Sequence, residues 1–128
     1  MAKKDQSKLL TETELELMNH LWSLGEGTVH QVIERLPKDR QLAYTSVSTI
    51  LRILEEKGIL KTRKEGRGHI YIPVLSKEEY EGRSLQHIVT HVFADTPSAL
   101  VKQLLNTVDI SEEELKEIKA LLNKKGRA

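Results

Sequence analysis

Cysteine is absent from this chain. That excludes disulfides, thiolate zinc sites and cysteine nucleophiles, and it is compatible with a reducing compartment. Long apolar runs are missing as well, since no stretch approaches the roughly 18 residues of a membrane helix. The opening MAKKDQSKLLTETELE has no apolar segment of the kind a secretory signal needs. A soluble, cytoplasmic protein with no membrane partner is the expectation. There is no glycine-rich phosphate loop, no carboxylate pair with a pocket to serve, and no motif that positions the Ser, His and Asp residues for catalysis. An enzyme is therefore not expected, and no cofactor is implied. Neither internal repeats nor low-complexity segments occur. Charge of one sign is not in excess either, because the formal net charge is only +1.

What the chain does have is a local excess of cations and a strong helical pattern. Between Lys57 and His69, the residues Lys57, Lys61, Arg63, Lys64 and Arg67 face a single Glu65, which makes this window the basic patch. Upstream, Thr11 with Glu14 has the spacing of a capping box. Leu15, Met18, Leu21 and Trp22 then recur at helical intervals until Gly25 and Gly27. Thr28 can cap a short second helix through Val29, Val32, Ile33 and Leu36 that Pro37 stops.

The segment LAYTSVSTILRILEEKG, from Leu42 to Gly58, poses the main question of the sequence. On a helical wheel Val47, Ile50, Leu51 and Leu54 form a core face. Thr45, Ser48, Thr49 and Arg52 gather on the opposite face, with Ser46 at its edge. An exposed helix face would ordinarily favour Glu, Lys, Gln or Ala over hydroxyls. After this helix, ILKTRKEGRGHIYIPVL changes to an alternating period, with Ile70, Ile72 and Val74 on one side and His69 and Tyr71 on the other. Glu65 to Gly68 reads as the turn of a hairpin. The order helix, helix, helix, hairpin is the plan of a winged helix-turn-helix, a mainly α fold.

The hydroxyl face acquires a purpose in that plan. The second helix of a helix-turn-helix lies in the DNA major groove, where short Ser and Thr side chains allow close approach and can hydrogen-bond base edges and phosphates. Arg52 can reach a guanine or a phosphate, and Tyr44 stands at the helix entrance, placed to donate to a phosphate or to pack under the helix. Taken singly, Thr45 or Ser46 is better read as a helix cap. Taken together with Arg52 and the wing cations Arg63, Lys64 and Arg67, the set reads as a DNA-contacting surface.

From Ser76 the chain is helical again. Ser76 with Glu79 forms a second capping box, Leu85, Ile88, Val89 and Val92 make a stripe with Phe93 at its margin, and Asp95 to Pro97 end the helix. A helix through Leu100, Val101, Leu104 and Leu105 follows, and Ser111 with Glu114 caps a last one carrying Leu115, Ile118, Leu121 and Leu122. The terminal NKKGRA is expected to fray. Three such helices bury little alone, so their apolar faces are expected to close on a second copy of the chain. The expected division is a winged-helix DNA-binding domain over 1–75 and a helical dimerisation domain over 76–128. His87, His91 and Asp95, spaced i, i+4, i+8, could hold a metal on one helix face, but no further ligand is identifiable. An ordinary surface or dimer-contact role is the better reading.

Four stretches resemble the penicillinase-repressor (BlaI/MecI/CopY) family of bacterial transcriptional repressors. They are LTETELELMNHLW at Leu10 to Trp22, AYTSVSTILRILEEKGIL at Ala43 to Leu60, EGRGHIYIPVLSKEEY at Glu65 to Tyr80, and the C-terminal ISEEELKEIKALLNK. The resemblance implies a homodimeric repressor on a palindromic double-stranded operator, commonly built on TACA and TGTA. It carries the recognition-helix role to Thr45, Ser46, Ser48, Thr49 and Arg52, the wing role to Lys64 and Arg67, and the dimer role to the C-terminal helices. Family members that answer penicillins are cleaved at an Asn-Phe bond by a protease, where the register here places Gln103-Leu104. The cysteine-rich metal-binding tail of the copper-responsive branch has no counterpart. The resemblance therefore implies a repressor and leaves its sensor or protease unassigned. Apart from the resemblance, two other readings of the residues compete with it, a winged helix that binds an acidic protein and a His-based metal-responsive regulator.

Overall fold

The computed structural model describes residues 9–126, which form six helices and one two-stranded hairpin. The expectation of no secretory leader rests partly on residues 1–8, and the frayed end partly on 127–128; those residues lie outside the described ones. Packing divides the chain into two compact units, one running to Leu85 and the other starting at Gln86. The division falls inside a helix.

The first unit is a winged helix. Helix α1 (Glu12–Leu24) starts at the expected capping box, in which Glu14 N–H donates to Thr11 Oγ1 at 3.1 Å and Thr11 N–H donates to Glu14 Oε1 at 2.9 Å. Helix α2 (Val29–Arg35) has the same device in Thr28 and Gln31, and its end at Leu36 precedes Pro37. Helix α3 (Tyr44–Glu56) is followed by Gly58 at φ +82°, where Ile59 N–H donates back to the Leu54 carbonyl, the left-handed ending that glycine permits. Strands β1 (Leu60–Glu65) and β2 (Gly68–Pro73) pair antiparallel from Leu60 opposite Pro73 to Glu65 opposite Gly68. The core joins Leu17, Met18 and Leu21 of α1 with Val32 of α2, Val47, Leu51 and Leu54 of α3, and Ile59, Leu60 and Leu75.

Ile70 and Ile72 are only half-buried and Val74 is exposed, whereas Tyr71 turns inward at 7% exposure. The cause is a third strand segment that periodicity could not show: Gly27 and Tyr71 exchange backbone hydrogen bonds of 3.0 and 2.8 Å, which docks the hairpin onto the α1–α2 connection. The packing of this unit also runs on past Leu75. Trp22 Nε1 donates to the Leu75 carbonyl, its ring lies 5.8 Å from that of Tyr80, and Tyr80 accepts at its hydroxyl from Leu10 N–H.

Glu14 also anchors the end of α3. Its carboxylate is buried and receives Lys57 Nζ at 2.8 Å. Burial pushes the carboxyl up, but the Lys57 hydrogen bond and charge and the Thr11 donors outweigh it, so the group titrates below the usual carboxylate range. A folded-state pKa below the unfolded one gives stability that is full above the unfolded value and lost as pH falls through the folded value. Glu14→Gln should therefore cost about 1–2 kcal/mol at neutral pH. The difference from the wild type should vanish in acid, as read by urea unfolding across pH; a pH-independent difference would mean that the charge is not what Glu14 contributes.

Helix α4 (Lys77–His91) opens on the Ser76 and Glu79 capping box. It ends at His91, and Ala94 and Asp95 beyond it take left-handed backbone at φ 49° and 61°, so Asp95 is off the helix. The second unit comprises the end of α4, α5 (Pro97–Thr107) with Pro97 in its first turn, and α6 (Glu112–Gly126). Helix α6 continues through Asn123 to Gly126, so that part of the tail expected to fray is helical.

Candidate nucleic-acid interface

Helix α3 separates its faces as the wheel demands. Val47, Leu51 and Leu54 are fully buried and Ile50 packs beside them, while Thr45, Ser46, Thr49 and Arg52 are exposed and Ser48 is half-buried. The cap of the helix is Ala43, with no side-chain cap hydrogen bond. Reading Thr45 or Ser46 as a cap is thereby corrected: both lie inside the first turn, beyond the capping position, and the hydroxyl face is left without a capping duty. Tyr44 opens the helix half-exposed, its ring 4.8 Å from the imidazole of His30 on α2.

The wing cations fall into two kinds. Arg63 is engaged within the protein, with Nη2 2.8 Å from Glu26 and 3.4 Å from Glu65. Its hydrogen bond holds the Glu26 carboxyl below its ordinary range, and Arg63 itself is raised. Lys57 is tied to Glu14. Lys61, Lys64 and Arg67 are exposed, and among the described residues no carboxylate lies within ion-pairing distance of them. Free cations beside a hydroxyl face suit a polyanion, since phosphate contacts position and side chains at base edges discriminate. The partner of Arg63, Glu26, lies 37 residues away in sequence, and nothing local marks the pair.

Helix α3 and the wing meet across a cleft of about 250 Å³ lined by residues that include Thr28, His30, Tyr44, Ser48, Arg67, His69 and Tyr71. Sequence reasoning missed His30 and His69 as members of this face. They stand on different elements, and no periodicity links them.

In the second unit no helix residue is buried. Ile88, Val92, Leu104, Leu121 and Leu122 are exposed, as is Leu85 at the end of the first unit, and Val92, Leu121 and Leu122 are each more than 60% exposed. Val89, Phe93, Leu100, Leu115 and Ile118 are partly covered. His87 and His91 are exposed with ring centroids 4.4 Å apart. Asp95 lies past the helix end in left-handed backbone, so the expected single face of three ligands does not form. Among the described residues there is no group of three or more His, Asp or Glu that could hold a metal ion, and no helix is long and apolar enough to cross a membrane.

Comparison with known proteins gives consistent matches. The family model described as Penicillinase repressor matches residues 10–124. The transcriptional regulator BlaI of Mycobacterium tuberculosis is 34% identical, over 74% of this chain and 82% of its own length. Among solved structures, the DNA-binding domain of the repressor BlaI is similar at TM-score 0.52 and 31% identity, covering 62% of this chain and 94% of that one. The monomeric form of Bacillus licheniformis BlaI in complex with the blaP half-operator is similar at TM-score 0.50 and 29% identity, covering 59% and 92%.

Proposed function

The chain belongs to the penicillinase-repressor family, and from that premise we propose that it is a homodimeric, sequence-specific DNA-binding repressor that occupies a palindromic operator. The observation that carries this reading is the pairing of an exposed hydroxyl face on α3 with unpaired wing cations on one winged helix. The likeness to BlaI in complex with its half-operator supports it. Repression follows from occupancy of the promoter, so the protein needs no reaction of its own.

In mechanism, Lys64 and Arg67 supply affinity through phosphates, while Thr45, Ser46, Ser48, Thr49 and Arg52 read base edges in the major groove. Tyr44 contacts backbone phosphate at the helix entrance. Arg63 supports the wing: its pairing with Glu26 ties β1 to the loop after α1, and its charge is already partly neutralised. The region 1–75 is assigned to DNA and 76–128 to self-association, and a dyad of the TACA and TGTA type is the operator to try first. The support for self-association is a helical unit with no buried residue among those described and with Ile88, Val92, Leu104, Leu121 and Leu122 exposed.

The two classes of contact separate in one experiment. Arg67→Ala should weaken binding to operator and random duplex alike by about fivefold and reduce the salt slope by about 0.9. Thr49→Ala should lower operator affinity by roughly fivefold to tenfold and leave random DNA nearly untouched. Fluorescence anisotropy at several salt concentrations reads both. Equal losses on the two duplexes for Thr49→Ala would remove base readout from α3.

A further inference from the structure

We propose that the cleft where α2, α3 and the wing meet is a seat for one DNA backbone phosphate, and that His30 and His69 make operator affinity rise as pH falls. The proposal rests on the operator reading above and adds two residues and a regulation to it.

The cleft brings together groups from four places in the chain: His30 from α2, Tyr44 and Ser48 from α3, Arg67 from the hairpin turn and His69 from β2. All of them can donate a hydrogen bond, and none of the lining residues is a carboxylate. That chemistry selects an anion. Size and openness suit a phosphodiester at the edge of a groove, since the cleft adjoins the base-reading face through Ser48 and the wing through Arg67.

The imidazoles make the seat responsive to pH. His30 and His69 are exposed, and histidine is the side chain whose ordinary charge change falls between about pH 5 and 8. The charged and titratable groups facing them are Tyr44 from α3, its ring 4.8 Å from that of His30 and tilted to it, Tyr71 from β2, Arg67 from the turn, and Lys64, which stands opposite His69 on β1. A bound phosphate favours the charged form of a neighbouring imidazole, so phosphate binding and proton uptake favour each other. As pH falls below neutral, each imidazolium adds a charge-assisted hydrogen bond to the same anion.

The test is anisotropy with the operator duplex at about pH 6 and about pH 8, for the wild type, His30→Gln/His69→Gln and His87→Gln/His91→Gln. Wild type and the His87/His91 variant should bind about fivefold or more tightly at the lower pH, with a salt slope steeper by about 0.9 per imidazolium. The His30/His69 variant should lose both effects, with affinity and salt slope that no longer differ between the two pH values. Because His30 and His69 are exposed, unchanged circular dichroism is expected and excludes misfolding as the cause. Wild-type operator binding that ignores pH, or a His30/His69 variant that keeps the full pH effect, overturns the phosphate seat and leaves the operator reading standing. No binding to any duplex at either pH overturns both.

Discussion

On the self-association proposed above, Leu121→Glu/Leu122→Glu should leave the protein monomeric and lower operator affinity by at least about a hundredfold. Both side chains are more than 60% exposed on α6, so their replacement removes little packing within one protomer. A change of mass must then arise from contacts outside it. The affinity loss follows from linkage: two winged helices joined in one dimer bind the second half-site at an effective concentration that raises avidity about 10²- to 10⁴-fold over one module. Half-site binding should survive at monomer strength. Sedimentation velocity at micromolar protein checks the first part and anisotropy the second. A variant that remains a dimer would place self-association away from α6.

Leu51→Ala should unfold the winged helix more readily than any surface change near it. Leu51 is fully buried on the core face of α3, which packs against α1, α2 and β1. Truncating a buried leucine costs about 2–5 kcal/mol, since the lost transfer energy is joined by the cavity left behind. In a unit of this size that corresponds to a fall in Tm on the order of 10 °C or more. Leu51→Met should cost less than about 1.5 kcal/mol. The hydroxyl face rides on the other side of the same helix, so the alanine variant should lose operator binding near its lowered Tm with its contact residues intact. A Tm within about 3 °C of the wild type would contradict the core assignment.

The first unit was legible in the sequence wherever the signal is local. Thr11 with Glu14 and Ser76 with Glu79 spell out helix starts within four residues, and both capping boxes form. The wheel through Val47, Ile50, Leu51 and Leu54 identified the buried side of α3 because a 3.6-residue period is a property of adjacent residues. Contacts between distant residues were not legible. Nothing around Tyr71 announces that Gly27 will pair with its backbone, so the inward turn of that side chain appears only in the fold. The pairing of Arg63 with Glu26 is hidden for the same reason, and it divides a basic patch that composition presents as uniform. His30 and His69 join the interface only when the wing folds back beside α2. Asp95 leaves the helix face of His87 and His91 because Ala94 and Asp95 adopt left-handed backbone without a glycine to signal it.

The most direct test of the repressor reading is fluorescence anisotropy of the full chain on a short duplex carrying a TACA/TGTA dyad and on a scrambled control, each at several salt concentrations. The expected result is tight, dyad-dependent binding that saturates at two chains per duplex, with a steep salt slope on both DNAs and a large affinity gap between them. Weak and equal binding to both duplexes, with no dyad recovered by selection from random DNA, would contradict it.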